Sequence, residues 1–146
     1  LAVKYRLFRL LSGGEGDPVK IISLYRDHIY HRVNRRWAQG DPMDRWKMNL
    51  DDYQNAAIRL FESMKMHGFS DNFPIPIDPM GELLGGAHRV ACALALGVEM
   101  VPVIHRGHDA WAPPWGVEWF VEHGFDAEVI RSLEMTMEEI KKIPPA

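Results

Sequence analysis

One cysteine, Cys92, is all that the sequence contains. An internal disulfide framework is therefore excluded, and so is a cysteine-rich zinc site. No apolar run approaches the ~20 residues of a membrane span. Nor does any segment show the charged, apolar and small-residue order of a signal peptide, so the cytoplasm is the expected compartment. A large charge of either sign is missing too: 17 Lys and Arg stand against 20 Asp and Glu, a formal net charge of -3. That balance argues against a non-specific nucleic-acid binder and leaves room only for a local basic patch. Internal repeats and low-complexity tracts are absent. The chain begins at Leu1 without a methionine, as a piece of a longer polypeptide would.

What is present is ordinary for a globular domain. The 146 residues are 47% hydrophobic and 25% charged, enough for one domain with a real core. Val3 to Leu11 alternates as a half-buried strand, with Lys4, Arg6 and Arg9 outward. Ser12 to Pro18 reads as a glycine-rich loop, and Val19 to Leu24 as a second strand. Tyr25 to Lys47 is polar, rich in arginine and histidine, and fits no clean period. It reads as a long loop with a short helix, and such loops are more often functional than idle.

The next segment is clearer. Asn49 or Asp51 caps a helix that runs to about His67 before Gly68, with Tyr53, Ala57, Leu60, Phe61 and Met64 on one apolar face. After a turn, Pro76 to Asp78 and Glu82 to Leu84 form a hairpin around Pro79-Met80-Gly81. Gly85-Gly86-Ala87-His88-Arg89 then breaks into an alanine-rich helix ending at Leu96 and Gly97, and Val101 to Ile104 is a further strand. A glycine pair at a helix start lets a ligand approach the backbone, and the first-turn amides lack intrahelical partners. With the helix dipole, and with His88 and Arg89 as further donors, this turn is suited to an anion such as phosphate.

Beyond it, His105-x-x-His108-Asp109 is a polar loop without a third firm metal ligand. Trp111, Trp115 and Trp119 recur every four residues, and a helix is expected from Pro114 to Gly124. Asp126 caps a short helix to Leu133, and Thr136-x-x-Glu139 has capping-box form before a last turn ending at Pro144-Pro145. The tryptophans are expected in the core, with one of them available to line a pocket.

The hairpin, the Gly85 to Arg89 turn, the alanine-rich helix, Gly97 and Val101-Pro102-Val103 together resemble the ParB/sulfiredoxin superfamily, over roughly Val19 to Arg106. The end of the preceding helix, Glu62 to Gly68 with Ser63, resembles another element of that family. The resemblance implies a small α/β (α+β) fold. It would have a small mixed sheet with helices, a core of about 19–106 and a helical, tryptophan-rich extension over 107–146, all in one domain. It implies a nucleoside triphosphate, ATP or another, bound with Mg²⁺ at Gly85, Gly86, Ala87, His88 and Arg89, with Arg32 and Ser63 as further binding residues. The sulfiredoxin nucleophile would fall at Ala87, which has no sulfur, and Cys92 lies more than a turn away. Sulfiredoxin chemistry is therefore not expected.

Kinases of this superfamily that act on free serine place an acidic base in a loop after an early strand. By position that base is Asp27 here, with His28 as the competing group. The expected function is a phosphotransferase moving the γ-phosphate of ATP to a hydroxyl of a sugar, polyol or amino acid. The alternative is a nucleotide-switched, DNA-associated ParB-like module without turnover. The residues after Ile104 show no helix-turn-helix, which disfavours it. A ParB-like nuclease stands lower, since no metal-carboxylate cluster is evident, and a non-catalytic domain of a larger protein is a further reading.

Overall fold

A computed structural model describes residues 1–33, 45–108 and 116–143 of the chain. Among them it shows six helices and two short strands, an α+β arrangement dominated by helix. The order is α1 (Ala2–Leu11), α2 (Pro18–Arg32), α3 (Leu50–His67), β1 (Ile75–Ile77), α4 (Ala87–Ala95), β2 (Val103–His105), α5 (Val117–Glu122) and α6 (Ala127–Lys141).

The first correction concerns the N-terminal third. Val3 to Leu11 is helix α1 and not a strand, because its buried positions run Ala2, Val3, Lys4, Tyr5, Leu7, Phe8. That is a stripe at helical spacing, and it only resembles alternation if Lys4 is assumed to face water. Val19 to Leu24 is likewise the first half of α2, which continues through Tyr25 to Arg32 where a loop was expected. Asp17 is its N-cap, accepting from the amides of Val19 at 2.9 Å and Lys20 at 3.3 Å, and Pro18 takes the first helical position. Arg35, Arg36 and Trp37 of the expected loop lie outside the described residues, as do Asp109, Trp111, Pro114, Trp115, Pro144 and Pro145.

The middle of the chain follows its sequence signals closely. Asn49 caps α3 by accepting from the Asp52 amide at 2.9 Å, and Gly68 ends the helix at φ 75°. Tyr53, Ala57, Phe61 and Met64 form its buried face. The strands β1 and β2 pair in parallel, Ile75 with Val103 and Ile77 with His105, and α4 is the crossover between them. The expected hairpin is present in reduced form. Leu84 donates to the Pro76 carbonyl and Asp78 to that of Glu82, and Ile77 and Leu83 form a single antiparallel bridge. Buried Asp78 closes the turn by accepting from the Met80 and Glu82 amides, both at 2.8 Å.

The C-terminal helices need one correction. The helix after Asp126 does not stop near Leu133 but runs to Lys141. Thr136 therefore sits inside α6, where its hydroxyl donates to the Ser132 carbonyl at 2.9 Å, and caps nothing. Trp119 is buried on α5, as expected of a core residue.

All of this is assembled around α1, which touches α2, α3, α4 and α6. Phe8 is its innermost residue, fully buried, stacked on Phe61 at 6.5 Å and meeting His88 edge-on at 6.5 Å. The packing thus brings the first turn of α4 against the buried face of α1. No helix among the described residues is long and apolar enough to cross a membrane.

Candidate functional site

The site begins with the turn into α4. Gly86 is the N-cap in the left-handed region, φ 74° and ψ 15°, and no side chain caps the helix. A Cβ there would lie 2.8 Å from Ile75 Cδ1 and 2.9 Å from a guanidinium nitrogen of Arg89, so glycine is required for both dihedral and space. Val90 makes the first intrahelical bond, to the Gly86 carbonyl at 3.0 Å, which leaves the amides of Ala87, His88 and Arg89 ahead of the ladder. Gly85 to Arg89 are all half-buried, so a solute can reach this end of the helix.

Facing that turn is a basic centre that the sequence did not announce. Lys4, one turn before Phe8 on the same side of α1, is only 3% exposed. Among the described residues no carboxylate lies within salt-bridge reach of its ammonium. His28, on the core face of α2, is 5% exposed, and its Nδ1 is buried without a hydrogen-bond partner. Its ring stacks on Phe120 at 5.8 Å and meets Trp119 edge-on at 5.5 Å. His88 Nε2 lies 2.9 Å from the hydroxyl of fully buried Tyr25, which also donates to the Tyr53 carbonyl at 3.3 Å.

The electrostatics of these groups share one cause. Loss of water holds Lys4 well below its ordinary range, and the charges of Arg32 and Lys47 push it further down. Burial lowers His28 to about 2, with Lys4 and Arg32 adding repulsion. The same influences, together with His28, hold His88 well below its usual value. Burial also pushes the Tyr25 hydroxyl above the usual phenol range. Arg32 acts on all three groups, and Lys4 on both histidines. A basic group whose proton affinity is lowered by burial regains it when an anion comes beside it.

The other expected site residues fall in different places. Arg32, at the end of α2, is exposed, but its charge is felt by Lys4, His28 and His88, so it belongs to the basic centre. Arg89 is half-buried and turned toward β1, donating to the Phe73 carbonyl. Ser63 is exposed on α3, two residues from buried Phe61 and on the side away from the core. Asp27 is exposed as well. It lines a shallow depression with Ser23, His31, His123 and Asp126, a rotation of about 100° around α2 from His28. The structure therefore gathers His88, His28 and Arg32, and leaves Asp27 and Ser63 outside.

Lys4 and Tyr25 are the members that sequence reasoning missed. Lys4 was read as a solvent-facing strand position, and Tyr25 as the start of a loop. A signal did exist in the run Val3, Lys4, Leu7, Phe8, which is a helical stripe with a lysine in it. Cys92 is a buried free thiol raised by desolvation to about 12, which removes it from thiolate chemistry at neutral pH.

No group of three His, Cys, Asp or Glu side chains among the described residues could hold a metal ion. A divalent cation here would have to ride on ligand oxygens and water. Comparison of the chain with family models, with curated proteins and with solved structures gave no match.

Proposed function

We propose that the protein binds a nucleoside triphosphate, with ATP the first candidate, and transfers its γ-phosphate to the hydroxyl of a small acceptor. The observation that carries this reading is the pair of buried basic groups, Lys4 and His28, which no carboxylate among the described residues pairs with, beside the uncapped first turn of α4. The likeness of Gly85 to Arg89 to the ParB/sulfiredoxin turn supports phosphate as the anion. The Ala87 and His88 amides would take phosphate oxygens, and Lys4 and Arg32 would supply charge. Mg²⁺, if used, would be held by phosphate oxygens.

Transfer forms a bond from the acceptor oxygen to phosphorus, breaks the bridging P–O bond, and sends the hydroxyl proton to a base. His28 is better placed for that proton than Asp27, which is exposed and lines a separate depression. In the free protein His28 is a poor base at about 2. A bound polyanion would raise it toward the working range, because a nearby opposite charge favours the protonated form.

A second reading, a ParB-like nucleotide-switched module that associates with DNA and turns nothing over, has one observation in its favour. Among the described residues no carboxylate pairs with Lys4 or His28. Calorimetric titration with ATP and Mg²⁺ tests both readings, with binding expected and its absence rejecting both. Phosphorus NMR of the mixture with hydroxylated acceptors then separates them. A new phosphate ester supports the transferase, while nucleotide binding with duplex-DNA affinity and no ester supports the module.

A further inference from the structure

A cavity of about 350 Å³ lies between α1, α5 and α6. Its volume falls at the lower end of the ~300–1,000 Å³ usual for small-molecule pockets. Val3, Phe120, Ile130, Leu133 and Met137 make its walls apolar. Exposed residues mark its mouth: Val117 on α5, and Glu134, Glu138 and Lys141 on α6. The α6 residues run at spacings of three and four along one face, so the apolar wall and the charged rim belong to a single helical stripe.

The charge at this mouth has one sign left over. Lys141 Nζ lies 2.7 Å from a Glu138 oxygen and neutralises it, whereas no salt bridge among the described residues reaches Glu134. Glu134 and Glu138, one turn apart, also repel each other. The Leu1 amine and His28, on the wall as well, are lowered by burial to about 5 and about 2, so neither is charged at pH 7. An anion entering here meets two carboxylates, and a cation meets one that is unpaired.

We infer that this cavity binds a small apolar amine in its protonated form, with the hydrocarbon between α1, α5 and α6 and the ammonium at Glu134. The walls release the hydrocarbon from water, while the ammonium stays in the exposed mouth and keeps most of its hydration. A few polar groups at the edge of an apolar pocket are what orient a ligand in such sites. The carboxylate is open to solvent, and no polar atom of the interior takes part. Because the cavity holds none of Lys4, Arg32 or Gly85 to Arg89, the inference stands independently of the function proposed above.

The probes are 2-phenylethylamine, ethylbenzene and 3-phenylpropionate, which share an apolar body and differ in charge. They are titrated into the full chain by calorimetry at pH 7 and low salt. The amine is expected to bind about two- to five-fold tighter than ethylbenzene, the worth of one exposed ion pair, and 3-phenylpropionate more weakly than ethylbenzene. Glu134→Gln should bring the amine to the ethylbenzene level and leave ethylbenzene unchanged. Lys141→Gln frees Glu138 and should tighten the amine further, a gain that no folding defect produces. Val117→Trp, at a 42% exposed position of the mouth, should abolish binding of both the amine and ethylbenzene. Equal affinity for the amine and the carboxylate overturns the inference, as does a preference for the amine that survives Glu134→Gln. So does no gain in Lys141→Gln, binding unaffected by Val117→Trp, or no binding of any probe.

Discussion

Asp27 and His28 are neighbours in one helix, yet they inhabit different chemical worlds. The outer face of α2 carries exposed Asp27 and half-buried His31 beside an open depression. Its inner face carries Tyr25, His28 and Ile29 against α1 and α5, where water is excluded and basic groups repel one another. A rotation of about 100° along the helix separates the two. The lesson is that composition did not select the functional face. A carboxylate and an imidazole were both plausible bases by type, and burial, with the charges of Lys4 and Arg32, lowers the proton affinity of His28.

The largest expected effect comes from the inner side. Lys4→Met should weaken ATP binding by roughly ten- to hundred-fold, the loss of a charge-assisted hydrogen bond of ~1.5–3 kcal/mol. It should also stabilise the fold by about 1–3 kcal/mol, since a buried polar amine is replaced by an apolar chain of similar length. Urea midpoints measure that term, and a destabilised variant would break the contrast between the faces. Next is Gly86→Ala, which forces a side chain into the left-handed region and against Ile75. A loss of about 1–2 kcal/mol is expected from the conformation alone, read from the same unfolding curves.

The pH dependence sharpens the comparison. His28 and His88 have folded-state values below their ordinary 6.5, so the unfolded chain binds more protons between those limits. Stability is then fully present above pH ~6.5 and falls as the solution is acidified below it. Thermal melts across pH 4 to 8 should show this slope, and His28→Phe should flatten it. Asp27→Ala should have the smallest effect, within about 0.5 kcal/mol of the parent in stability, as for most surface changes, and no effect on ATP affinity. A loss of binding in that variant would return the function to the outer face.

The same two regions explain what the sequence made legible. The α3 helix and the unit from β1 to β2 were readable because their local signals agree. Asn49 caps, Gly68 and Gly97 terminate, the apolar stripe has helical period, and the Gly85-Gly86 pair marks the tight entry to α4. The N-terminal third was misread because one residue violates the usual rule. Lys4 is polar and buried, and placing it outward turned a helical stripe into apparent alternation. Local rules tend to break where function demands it, so the error itself lay on the candidate site. In α2 the Asp17-Pro18 cap was legible but was absorbed into the glycine-rich loop before it. His88, His28 and Arg32 could be named from their type and position. Their convergence on Lys4 could not, because it depends on how α1 packs between α2 and α4.

The most direct test is calorimetric titration of ATP and Mg²⁺ in two buffers of different ionisation enthalpy at pH 7. A centre whose histidines and lysine are held neutral by burial and mutual repulsion should take up protons when an anion enters. Binding accompanied by net proton uptake, diminished in Lys4→Met and unchanged in Asp27→Ala, is the predicted result. Binding without proton uptake, or no binding at all, would contradict a buried basic centre built to receive phosphate.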